Sequence, residues 1–132
     1  MPLPITSITA ALLALLLLAL AIQTVRKRLA LKAAFGDAQD PGLIAASRSH
    51  GNLAEHAPIV LIMLALVENA GANGGLLTAI AAVFVVGRIA HAVGLHQPST
   101  PGKAPLLRQI GVIATWLVML GLAVLILLGA AT

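Results

Sequence analysis

The sequence predicts an all-α integral membrane protein, a four-helix bundle whose charged residues are concentrated toward one side of the bilayer. Of its 132 residues, 60% are hydrophobic and only 9% are charged, and the mean hydropathy is +1.04. Such a composition cannot cover a soluble domain with polar side chains. A spanning helix needs about 20 mostly apolar residues. We therefore expect one transmembrane domain over residues 1–132, with spans at about 5–30, 41–69, 75–96 and 104–130.

The first predicted span contains the apolar run 5–23, which is almost entirely Leu and Ala over residues 12–20 and is followed by the basic cluster 26–28. A cleaved signal peptide is the competing interpretation, but no positive charge precedes the run and the basic cluster follows it. The second span begins after a loop rich in Gly and Pro, where Asp40 is expected to cap a helix with Pro41 at its first position. It ends at the Asn- and Gly-rich segment 69–75.

The third span, 76–95, is apolar apart from Thr78, Arg88 and His91, and the fourth runs over 106–129. Lys and Arg are present in the first and third loops and absent from the second. The positive-inside rule therefore predicts that loops one and three lie in the cytoplasm and both termini outside.

The polar residues inside these helices form a constellation near one level of the bilayer. Arg48, Asn52 and Glu55 follow i, i+4, i+7 spacing and share a helix face within an arc of about 60°. A charge at membrane depth costs a few kcal/mol or more, so these residues should face a bundle interior, a wet cavity or each other. Further members at the same level are Arg26, Arg88, His91 and Arg108. Four arginines against one glutamate favour a pocket for an anionic ligand.

Less specific interpretations account for parts of this pattern. Arg26 and Arg28 could be snorkelling anchors that only set the topology, and the face with Arg48, Asn52 and Glu55 could form an internal salt bridge that fastens helix two to a neighbour. A metal site is not expected, because the chain has no cysteine and His50 and His56 do not share a helix face. Nucleic acid binding is not expected either, because the basic residues belong to an apolar chain without a soluble basic face.

Several segments together resemble one family, the MAPEG family of membrane-associated proteins in eicosanoid and glutathione metabolism. The segment 48–58, RSHGNLAEHAP, resembles the family's helix-two signature, and 86–91, VGRIAH, resembles its third-helix motif. The segment 35–37, FGD, resembles the first loop of bacterial members. Residues that resemble the fourth helix are Arg108, Gly111, Thr115 and Trp116.

The resemblance implies a homotrimer in a membrane, expected to be a bacterial inner membrane, with glutathione as co-substrate bound between neighbouring subunits near the cytoplasmic face. It implies that Arg108 stabilises the thiolate. The implied glutathione-binding residues are Arg26, Arg48, Asn52, Glu55, Arg88 and His91. Gly51 and Leu95 depart from the arginine and tyrosine of several eukaryotic members, and the chain contains no tyrosine.

The predicted function is a glutathione-dependent membrane transferase or peroxidase that acts on hydrophobic electrophiles arriving from the bilayer. Its partners would be further copies of the chain, membrane lipids and a hydrophobic small-molecule substrate. The alternative is a non-catalytic membrane bundle that binds a small anion or a lipid headgroup. A small transporter or channel is a third possibility, although four short spans are few for one.

Overall fold

The computed structural model describes residues 2–99 and 102–130 as four helices joined by short loops. Helix α1 spans Pro4–Leu31, α2 spans Pro41–Asn69, α3 spans Gly74–Leu95 and α4 spans Leu106–Ala130. All four are long and apolar enough to cross a membrane. The predicted fold class, an all-α bundle of four membrane-type helices, is confirmed.

The helix ends follow local chemistry. The side chain of Asp40 accepts a hydrogen bond of 2.7 Å from the backbone N–H of Leu43 at the start of α2, so the predicted cap is confirmed. Asn73 does the same for α3 by accepting from Leu76 over 3.0 Å. Helix α1 ends where Lys32 adopts the left-handed conformation, with a φ of 53°, and this turns the chain into the first loop.

The start of α1 has no cap from its own side chains; Glu68, in the last turn of α2, supplies one. Its carboxylate accepts from the backbone N–H of Ile5 over 2.9 Å and of Thr6 over 2.8 Å, and from the Thr6 hydroxyl over 2.6 Å. These N–H groups have no partner within the first turn of a helix, and the positive end of the helix dipole favours a carboxylate there. We call this contact the Glu68 clamp.

The four helices are arranged as two hairpins, α1–α2 and α3–α4, with the most extensive packing inside each hairpin. Helices α2 and α3 also contact each other and occupy the centre of the bundle. Among the described residues, α1 and α4 are not neighbours. They therefore form two separate flanks of the bundle.

Glycine brings α3 and α4 unusually close together. A Cβ atom built on Gly111 would lie 2.6 Å from the carbonyl oxygen of Gly87 and 2.8 Å from the Cα of His91. A Cβ on Gly94 would collide with the backbone of Arg108. Small residues allow such close backbone approach between membrane helices. Side chains of α3 can therefore reach a hydroxyl group and a backbone carbonyl of α4.

The outer surface of the bundle is apolar, the reverse of a soluble protein. Leu29 is 73% exposed, Leu127 70% and Trp116 64%, whereas Phe84 and Leu122 are completely buried in the centre. An exposed apolar surface of this extent is suited to lipid or to neighbouring membrane subunits.

Candidate functional site

A buried arginine lies at the centre of the candidate site. Arg88 is only 2% exposed, and its guanidinium donates from Nη1 to the Thr115 hydroxyl over 3.0 Å and from Nη2 to Asn52 Oδ1 over 2.5 Å. The Thr115 hydroxyl in turn donates to the carbonyl of Gly111 over 2.8 Å. The third nitrogen, Arg88 Nε, is buried without a hydrogen-bond partner in the described part of the chain. Arg88 thus ties α3 to both α2 and α4.

The contact with Arg88 fixes the orientation of the Asn52 amide. A guanidinium can only donate, so the Asn52 oxygen faces Arg88 and the amide NH2 is left to donate elsewhere. Asn52 is half-buried, whereas Arg48 and Glu55, on the same face of α2, are exposed. Glu55 is close enough to interact electrostatically with Arg88. This face of α2 therefore offers a cation, an amide donor and a carboxylate side by side.

His91 connects α3 to the first turn of α4. It is buried, and its Nδ1 lies 3.3 Å from the backbone carbonyl oxygen of Arg108. Because a carbonyl only accepts, Nδ1 carries the proton and Nε2 does not when the ring is neutral. The side chain of Arg108 is exposed. His91 thus holds the backbone that carries Arg108 and leaves the guanidinium available.

The structure brings some of the predicted site residues together and leaves others apart. Asn52 and Arg88 are in contact, and His91 touches the backbone of Arg108. The side chains that remain exposed on the surface of a single chain are those of Arg26, Arg48, Glu55 and Arg108. Arg26 lies on the α1 flank and Arg108 on the α4 flank, so one chain does not gather all seven residues around one point.

Sequence reasoning missed the role of Thr115 and foresaw only in part the link made by Asn52. Thr115 was included in the fourth-helix resemblance but not among the site residues; it is buried and is an acceptor for Arg88. The sequence feature that could have indicated this role is the isolated hydroxyl group of Thr115 in the apolar middle of α4. The alternative expected an internal salt bridge between this face of α2 and a neighbour; the contact in the structure is a hydrogen bond instead, in which the neutral Asn52 amide oxygen accepts from Arg88 on α3.

Comparison with known proteins identifies the family. Residues 6–128 match the sequence model of the MAPEG family. The chain belongs to the MAPEG family. It is 31% identical over 116 residues to the inner membrane protein YecN of Escherichia coli K12, an alignment that covers 88% of this chain and 85% of YecN. The protein of the same name in Escherichia coli O6:H1 gives the same values.

The family match of this MAPEG protein extends over the whole bundle, because it includes all four helices apart from a few residues at the start of α1 and the end of α4. The names of the two relatives describe inner membrane proteins and state no activity. A relative in an inner membrane and four helices of spanning type agree with the predicted integral membrane location.

Proposed function

We propose that this MAPEG protein is a glutathione-dependent membrane transferase or peroxidase for hydrophobic electrophiles, and that Arg108 stabilises the thiolate. The observation that carries the proposal is the polar face of α2, on which Arg48 and Glu55 are exposed and the half-buried Asn52 between them is held by the buried Arg88. Among the described residues, neither Arg48 nor Glu55 forms an ion pair with another side chain. Here they remain available to a ligand.

The charges of this set match those of glutathione. The tripeptide carries two carboxylates and one ammonium group. Arg48 and Arg26 are suited to the carboxylates, because a guanidinium can donate two parallel hydrogen bonds to one carboxylate. Glu55 is suited to the ammonium group, and the Asn52 amide can donate to a further oxygen.

Arg108 is the best-placed group for the sulfur. A free thiol has a pKa near 8.5, and a neighbouring Arg or a helix N-terminus favours the thiolate. Arg108 supplies both influences, because it lies in the first turn of α4 and its backbone is held by His91. In the transfer reaction the thiolate sulfur forms a bond to the electrophilic carbon, and the leaving group departs with the electron pair of the broken bond.

The proposal includes assembly of several copies. We propose that a ligand that contacts both Arg26 and Arg108 bridges the α1 flank of one chain and the α4 flank of another, since α1 and α4 do not pack against each other in one chain. Such a contact joins two different surfaces, and its repetition closes into a ring when the rotation allows. The resemblance described above supports a homotrimer as the form of this ring. We also propose that loops one and three face the cytoplasm, where glutathione is abundant.

A second candidate is a non-catalytic bundle that binds a small anion. The observation in its favour is Leu95, which is apolar and half-buried at the position where several eukaryotic members carry tyrosine. Thermal unfolding with added glutathione shows whether the protein binds the tripeptide at all. With a Kd of about 1 mM, about 10 mM glutathione stabilises the folded state by roughly 1.4 kcal/mol.

The decisive experiment measures the ultraviolet absorbance of thiolate when glutathione is added to the purified protein. We expect a signal that Arg108→Ala abolishes and Arg108→Lys partly restores, because the cation acts through its charge. Lys103→Ala is the matched control, since this exposed cation lies in the loop just before α4. A thermal shift without a thiolate signal would favour the non-catalytic candidate, and an equal signal in Arg108→Ala would remove Arg108 from the mechanism.

A further inference from the structure

We infer that the C-terminal end of α1 carries a binding site for one anionic phospholipid, separate from the proposed thiol site. The site is a groove of about 470 Å³ on the outer side of α1. Its lining residues are Val25, Arg28, Leu29, Lys32, Ala33 and Ala34. None of these residues belongs to the proposed glutathione set, so the inference does not depend on the proposed function.

The cationic end of the groove is built by the end of the helix. Arg28 and Lys32 are one turn apart and lie on the same side of α1. Arg28 is half-buried, and its Nη1 donates to the carbonyl of Gly36 over 3.0 Å, which fixes the guanidinium against the first loop. The left-handed Lys32 reverses the chain, so that Ala33 and Ala34 form the second wall. The remaining guanidinium donors are available to a phosphate.

The apolar end of the groove runs toward the middle of the bilayer. Val25 is 54% exposed and Leu29 73% exposed, and Leu18, on the same side of the helix, is 57% exposed. The stretch from Leu29 back to Leu18 is about 16 Å long at 1.5 Å per residue. This is a suitable length for an acyl chain to follow from the headgroup region into the hydrocarbon core.

The charge of the lining selects the class of lipid. The groove contains two cations and no acidic residue, so it attracts a phosphodiester but offers nothing to the cationic amine of a zwitterionic headgroup. Phe35, in the adjoining loop, is 92% exposed, and an aromatic ring at this level is suited to the membrane interface. Charge and shape together indicate a phospholipid with a net negative charge, such as phosphatidylglycerol.

The test is native mass spectrometry of the full-length protein released from micelles that contain equal amounts of phosphatidylglycerol and phosphatidylcholine with the same acyl chains. For the wild type we expect phosphatidylglycerol to be retained over phosphatidylcholine by roughly 30-fold, which corresponds to about 1 kcal/mol for each of the two cations. The double variant Arg28→Gln/Lys32→Gln should lose this preference.

The matched control is Lys27→Gln/Lys103→Gln, which also removes two positive charges from the same end of the bundle but leaves the groove unchanged. It should keep the preference. If the Arg28/Lys32 variant does not fold, Lys32→Gln alone removes an exposed side chain and should reduce the preference roughly 5-fold. The inference is overturned if the wild type retains both lipids equally, if the control loses the preference as well, or if glutathione displaces the phosphatidylglycerol.

Discussion

The two ends of the bundle are held by polar side chains of opposite charge and with different consequences. At the end that carries the second loop, the Glu68 clamp accepts three hydrogen bonds from the start of α1. Toward the other end, the guanidinium of Arg88 donates to α2 and α4. Both contacts join helices inside a membrane, where an unsatisfied polar group is costly.

The difference lies in what each end leaves unused. The carboxylate of Glu68 is occupied by two backbone N–H groups and a hydroxyl at the N-terminus of α1. Around Arg88, the Nε atom has no partner among the described residues, and Arg48 and Glu55 stay exposed beside Asn52. A polar group that is fully used by its own fold stabilises the fold, whereas one that keeps spare donors and charges is suited to a ligand. This difference agrees with the proposed function, in which one end of the bundle serves structure and the other serves binding.

The largest effect should follow removal of the acceptor for Arg88. Among the described residues, Asn52→Leu leaves the buried guanidinium with Thr115 as its one hydrogen-bond acceptor, and we expect the free energy of unfolding to fall by about 3 kcal/mol. Unfolding by sodium dodecyl sulfate in mixed micelles measures this loss. Asn69→Leu is the control, because Asn69 is exposed at the end of α2 and the change should stay within about 0.5 kcal/mol. Equal losses in the two variants would contradict a special role of the Arg88 contact.

A smaller effect is expected from the contact between α3 and α4. Gly111→Ala places a Cβ within 2.6 Å of the Gly87 carbonyl, and the forced separation should lower the unfolding free energy by about 2 kcal/mol. It should also disturb the hydrogen bond between His91 and the Arg108 backbone, and so weaken the thiolate signal. Gly121→Ala is the control, because no atom lies within 4 Å of the added group, and it should stabilise α4 by up to about 1 kcal/mol. Similar destabilisation at both glycines would argue against close packing at Gly111.

The smallest effect is expected at the structural end. Glu68→Gln keeps one carbonyl oxygen but loses the second acceptor and the charge, so the unfolding free energy should fall by about 1 kcal/mol. Glutathione binding should not change, because Glu68 lies sixteen residues, or about 24 Å, along α2 from Asn52. A titration of the unfolding temperature with glutathione checks both statements. A loss of glutathione binding in this variant would contradict the statement that the Glu68 end serves structure alone.

The sequence predicts most of the fold because membrane helices follow from simple rules. Asp40 with Pro41 marks the start of α2, and the Asn- and Gly-rich segment 69–75 separates α2 from α3, so capping chemistry and turn-forming residues identify both boundaries. The polar face of α2 is also predictable, since the spacing of Arg48, Asn52 and Glu55 places them on one side of the helix.

The partners of those residues could not be predicted, because hydropathy fixes neither the rotation of a helix about its axis nor its neighbours. That Arg88 bonds to Thr115 depends on how closely Gly111 lets α4 approach α3. The Glu68 clamp joins residues more than sixty positions apart. Its signal in the sequence was weak, an acid in the last turn of one helix opposite the uncapped start of another.

The contact between Arg88 and Asn52 also has a consequence for biogenesis. Among the described side chains, it is the one hydrogen bond that connects the α1–α2 hairpin to the α3–α4 hairpin; the clamp and the His91 contact each lie within a hairpin. Each hairpin can therefore insert into the membrane as a self-contained unit, and docking of the two would be the step that forms the polar link. A ligand held by the Asn52 amide would bind at this seam and favour the docked over the separated state. Substrate availability would then act on assembly of the newly made protein as well as on its activity.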